Sequence, residues 1–147
     1  MANLDNLIQL AEEKSKYVIE VMREQHDFIA LVDSGDKMTV VSFNLPEEDK
    51  HSFAPAFAHL LRELKAVRYI LISEAWATTS KRPSTEGIRV SELPLDDRDE
   101  ILQITAVENK GIMKSKMAII DNTPRGRKLR EFRAMQVLSG RMVVKEW

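Results

Sequence analysis

The chain has 147 residues, 44% hydrophobic and 31% charged, with 22 basic side chains against 23 acidic ones for a formal charge of -1. That length suits one domain with a good core, the composition is too apolar for a disordered chain, and the charge balance supplies no global field towards nucleic acid or an anionic membrane. The absence of cysteine excludes disulfides, thiolate nucleophiles, zinc ribbons and iron–sulfur clusters.

The opening segment has no basic stretch followed by an apolar one, and no run reaches the ~18 apolar residues of a membrane span. A cytoplasmic location without membrane contact is expected. From Leu4 the apolar residues Leu7, Ile8, Ala11, Val18 and Met22 recur at helical spacing, with Glu12, Glu13, Lys16 and Glu20 on the other side, which predicts an amphipathic helix. Phe28–Val32 and Met38–Phe43, separated by a turn-forming stretch that contains Gly35, predict a β-hairpin.

Phe53, Phe57, Leu60, Leu61 and Leu64 mark one face of a second helix, with Ser52 as its N-cap and Pro55 in its first turn. Tyr69–Trp76 follows, and its continuous apolar run ahead of Ser73 is the signature of a central strand covered on both faces. Residues 77–98 carry Thr, Ser, Pro, Gly and charges without period, and predict a long polar loop, a place to look for function.

Leu102, Ile104 and Ala106 alternate with polar residues, Asn109-Lys110-Gly111 turns the chain, and Met117–Ile120 returns as a partner strand. A terminal hairpin is expected from Phe132–Val137 and Arg141–Val144. Helices and strand pairs are segregated, so the expected fold is a single α+β domain over residues 1–147: a mostly antiparallel sheet built from hairpins, with two main helices packed on it.

Strand alternation puts Glu74 on the face of Ile70, Ile72 and Trp76, and Glu100 on the face of Leu102 and Ile104. If the two strands pair antiparallel, Glu74 and Glu100 approach each other or Arg98. Two such carboxylates can hold a divalent metal or divide acid and base roles, which makes a metal-dependent hydrolase or nuclease one reading; an ion pair with Arg98 or another base is the structural one. Asp97 or Asp99 ahead of Glu108-Asn109-Lys110 also matches the Asp…Glu-x-Lys spacing of metal-dependent nucleases, in a segment that is equally ordinary hairpin chemistry. His26, His51 and His59 lack metal-ligand spacing, and no Gly-rich phosphate loop or nucleophile elbow is present.

Arg125, Arg127, Lys128, Arg130 and Arg133 form the clearest charge feature, extended by Arg141 and Lys145. They could contact phosphates, with Phe132 or Trp147 stacking on bases, or they could balance the acidic stretch Glu92–Glu100.

Ile72-Ser-Glu-Ala-Trp76, followed by a polar stretch and Pro94-Leu-Asp-Asp-Arg-Asp-Glu-Ile101, resembles a group of small bacterial and phage proteins of unknown function. In that group a hydrophobic strand closes in Ser-Glu-Ala-Trp and a proline-to-Arg-x-Glu segment opens the next strand; here the proline lies four residues before Arg98. The resemblance implies a shared fold, with Glu74, Trp76, Arg98 and Glu100 in one structural unit. With no complete catalytic set and no implied cofactor, the leading expectation is a small non-catalytic accessory or protein-interaction protein, phage or mobile-element encoded. It would act through the 77–98 loop or a sheet edge and self-associate as a homodimer. Nucleic-acid binding is the second reading and the metal-dependent hydrolase the third.

Overall fold

A computed structural model describes residues 3–22, 28–43, 50–77, 99–135 and 144–147. In chain order these form helix α1 (Leu4–Lys16) continued by a π-helical turn (Tyr17–Val21), then β1 (Ile29–Asp33), β2 (Met38–Ser42), α2 (Lys50–Glu63), β3 (Arg68–Ala77), β4 (Asp99–Glu108), β5 (Met113–Thr123), β6 (Gly126–Leu129) and β7 (Arg133–Met135). The sheet runs β2-β1-β3-β4-β5-β6, with β7 also on β5, and every described pairing is antiparallel. The α+β class and the helices packed on a hairpin-built sheet are as expected. Among the described residues no helix is long and apolar enough to cross a membrane.

Alternation along β1 and β3 divides the core into two. Ile29, Leu31, Ile70 and Ile72, with Leu102, Ile104 and Ala106 of β4, meet Leu4, Leu7, Ile8 and Ala11 of α1 on one face. Ala30, Val32, Tyr69 and Leu71, with Val107, meet Phe53, Phe57 and Leu61 of α2 on the other. A strand covered on both faces has no polar side to show there, hence the unbroken apolar run Tyr69–Ile72 within β3.

α1 begins at Asn3, whose Oδ1 accepts from the Asn6 N–H. It is tied along β5 by Lys114–Asp5 at 2.7 Å and Lys116–Glu12 at 3.0 Å, and the Leu129 N–H donates to Glu20. The expected apolar face fails at its last turn: Ile19 is buried, Val18 is half-buried and Met22 is exposed. The wider π turn adds more than the α-helical 3.6 residues per turn, so Ile19 takes the inward place that Val18 would hold.

α2 starts at Lys50, earlier than expected, so Ser52 lies within the helix and Pro55 in its second turn. It ends in a Schellman motif, with Ala66 N–H donating to Leu61 C=O and Lys65 N–H to Arg62 C=O, and Lys65 left-handed at φ 54. The β4–β5 turn at Asn109–Gly111 is found as expected.

That turn also holds the segment 144–147. Asn109 exchanges two bonds with the Trp147 backbone, Lys110 N–H donates to Lys145 C=O, and Trp147 Nε1 donates to Ala66 C=O. The Tyr69 hydroxyl donates to Val144 C=O at 2.6 Å and accepts from Val144 N–H at 2.9 Å. Of the expected terminal hairpin, β7 is present; residues 136–143 lie outside the described residues, as do residues 78–98 of the expected loop, while Ala77 belongs to β3.

Candidate functional site

β3 and β4 pair with Glu74 opposite Leu102 and Trp76 opposite Glu100, so Glu74 and Glu100 are diagonal neighbours on the α1 face. The strand pairing on which their approach depended is therefore present. What joins them is Arg127. Its Nη1 donates to Glu74 Oε2 at 3.2 Å, and its Nη2 bonds both Glu74 Oε1 and Glu100 Oε2, the latter at 2.9 Å.

Arg127 lies on β6, reached through the tight turn Thr123-Pro-Arg-Gly126. Pro124 suits the first turn position, the Thr123 hydroxyl accepts from Arg125 N–H, and Gly126 has φ 120. In a flat sheet β6 would stand ~14 Å from β3, beyond the reach of an arginine. The β5–β6 ribbon curls over the α1 face instead, where Leu129 and Phe132 pack against the α1 core.

The Glu74 side chain is 9% exposed and that of Glu100 28%, so the guanidinium neutralises charge that has lost much of its water. The hydrogen bonds to Glu74, opposed by burial and aided by Glu100, hold Arg127 further above its ordinary basic range. The resulting site is two carboxylates on one fixed cation. A metal at this pair would have to displace Arg127.

On the opposite face Arg130 repeats the theme, gripping Asp121 through two bonds of 2.8 Å, with Asp99 close enough to act electrostatically. The Arg130 hydrogen bond holds the Asp121 carboxyl below its usual range. Two arginines of the expected cationic cluster thus turn to opposite faces and meet acidic partners. Arg125, Lys128 and Arg133 remain exposed and make no ion pair among the described residues.

Asp99 and Glu108 stand at opposite ends of β4, nine residues apart, or ~30 Å at strand rise, so they cannot share the metal of a nuclease core. Asn109 and Lys110 hold the 144–147 segment. Arg98, Asp97 and His26 lie outside the described residues. His59 is exposed beside Glu63. Among the described residues no three of His, Cys, Asp and Glu converge to hold a metal ion.

The second notable site is a sheet edge, the kind of surface expected for partner binding. The two edges differ. Beyond β5 the edge is made of short β6 and β7, and between the pairs Ile120–Leu129 and Met117–Arg133 one strand advances three residues while the other advances four, a bulge. Arg127, Lys128, Arg130, Glu131 and Arg133 crowd that edge with charge. Short strands, bulges and charges are devices that block strand pairing.

The β2 edge has neither bulge nor charge. Met38-Thr-Val-Val-Ser42 is uncharged, pairs with β1 without a bulge, and has no described strand on its outer side. Phe43 N–H bonds Phe28 C=O and Ser34 N–H bonds Lys37 C=O, so the odd-numbered residues of β2 turn their backbone groups inward to β1. Met38, Val40 and Ser42 therefore point theirs outward, and these same residues are exposed, Val40 by 58%.

Comparison with known proteins finds no family, no curated protein and no solved structure that matches the chain.

Proposed function

We propose that this chain is a non-catalytic protein-interaction module that takes up an extended segment of a partner along the outer edge of β2. The asymmetry of the two sheet edges carries the reading: one is broken by a bulge and crowded with charge, the other has no bulge and no charge and exposes Met38 and Val40. A strand laid on such an edge gains main-chain hydrogen bonds, and side chains at alternate positions meet Met38 and Val40. The Glu74–Arg127–Glu100 group supports it from the other side, because its polar atoms are engaged with one another as a structural cross-brace.

The test is an array of extended heptapeptides with alternating apolar residues, read by fluorescence polarisation. At dilutions where the chain is monomeric, the expected result is binding to the wild type that is lost in Val40→Lys; equal binding by both proteins, or by neither, at such dilutions ends the reading. Nucleic-acid binding is the second reading and rests on exposed Arg125, Lys128 and Arg133. It carries less weight because Arg127 and Arg130 are already held by carboxylates. Binding to single-stranded DNA or RNA that falls steeply with salt, and is lost when those three residues become alanine, would bring it forward.

A further inference from the structure

Resting on that reading, we infer that the partner strand is β2 of a second copy, paired antiparallel about a twofold axis that passes at Val40. Backbone parity selects the register. Only outward-pointing residues can exchange hydrogen bonds across a new edge, and in β2 these are Met38, Val40 and Ser42. Placing Val40 opposite the partner's Val40 sets Met38 opposite the partner's Ser42, so every outward N–H and C=O of both strands finds a partner. A shift of one residue puts inward-pointing groups opposite outward ones, and a shift of two leaves outward groups unpaired at both ends.

The side chains agree with this register. Val40 packs on the partner's Val40, Met38 extends beside the partner's Ser42, and no charge of β2 is opposed because β2 has none. A second copy brings the strand that the β2 edge lacks among the described residues.

The other edge explains why the assembly closes. A chain with two open edges would stack head to tail into a filament, whereas an isologous pair uses the same edge twice and stops. After β2 meets its counterpart, both outer edges are the bulged, arginine-bearing β6–β7 edge, which resists further addition. The product is a discrete dimer with one sheet running through it.

The chain has no cysteine, so a single introduced thiol reports the register directly. In the stated register the Cα atoms at position 40 stand ~5.5 Å apart, a separation that a disulfide spans, whereas those at position 39 are roughly 7–8 Å apart. Sedimentation velocity over a wide concentration range should show a dimer for the wild type and a folded monomer for Val40→Lys. Under mild oxidation Val40→Cys should cross-link to a covalent dimer and Thr39→Cys should not.

Cross-linking of Thr39→Cys as fast as that of Val40→Cys would overturn the register. A wild type that is monomeric throughout would overturn the self-pairing. A monomer that still binds the strand peptides in a Val40-dependent manner leaves the interaction module standing without its homodimer; one that binds neither removes both.

Discussion

Glu74 on β3 and Arg127 on β6 are three places apart in the strand order, yet their side chains are joined by two hydrogen bonds. The bond pair closes the curl of the sheet: it holds the β5–β6 ribbon over the α1 face, while Leu129 and Phe132 fill the space beneath α1.

Removing the guanidinium alone should therefore be costly. Arg127→Ala removes the guanidinium bonded to the nearly buried Glu74 carboxylate and is expected to lower stability by ~3–5 kcal/mol in urea unfolding. Glu100→Gln, which touches a more exposed carboxylate with one bond to Arg127, should cost about 1 kcal/mol. Replacing Glu74 and Arg127 together by methionine should restore most of the loss. Arg127→Ala with wild-type stability would mean that the ion pair does not hold the ribbon.

Tyr69 gives a pH-dependent prediction. Burial, countered by the bond to Val144 C=O, pushes its phenol up to about 12 from an ordinary 10.0, so the folded chain prefers the neutral hydroxyl. The resulting stabilisation, about 2–3 kcal/mol, is whole below pH 10 and is lost as pH rises to 12. Tyr69→Phe should be less stable by about 1–3 kcal/mol at neutral pH, with Val144 N–H and C=O left unpaired. That gap should stay constant to pH 10 and close between pH 10 and 12. A gap unchanged across this interval would show that Tyr69 is not the titrating group.

At the end of α2, Lys65 occupies a left-handed position at φ 54 that glycine adopts without steric cost. Lys65→Gly should raise the unfolding free energy by ~1 kcal/mol, while Lys65→Val should lower it. A loss of stability in the glycine variant would mean that the lysine side chain makes a compensating contact.

Legibility from the sequence followed the hydrophobic pattern. β1, β3 and α2 were readable because Ala30, Ile70 and Phe57 occupy positions where burial and period agree. β6 was not, because its inward positions are Arg127 and Leu129, and an arginine half-buried in an ion pair breaks the apolar alternation that marks a strand. The π turn was hidden for a related reason: Val18 and Ile19 are both apolar, and only the widened turn decides which faces inward. The approach of Glu74 to Glu100 followed from alternation and antiparallel pairing. Their shared partner depends on a curl fixed by contacts between residues more than a hundred positions apart, such as Glu20 with Leu129.

The same geometry bears on metal binding at Glu74 and Glu100. A divalent ion would have to compete with a cation already attached to the fold, and expelling Arg127 would break the brace between β3 and β6. Mg²⁺, Mn²⁺ and Zn²⁺ are therefore expected to leave the thermal midpoint of the wild type unchanged, since a ligand stabilises only by binding the folded form preferentially. Arg127→Ala, which takes the guanidinium away from both carboxylates, is the variant in which a stabilising metal shift should emerge, and Glu74→Gln introduced beside it should abolish that shift. A clear shift in the wild type, lost in both Glu74→Gln and Glu100→Gln, would make the pair a metal site in its own right and return an enzyme to the head of the functional readings.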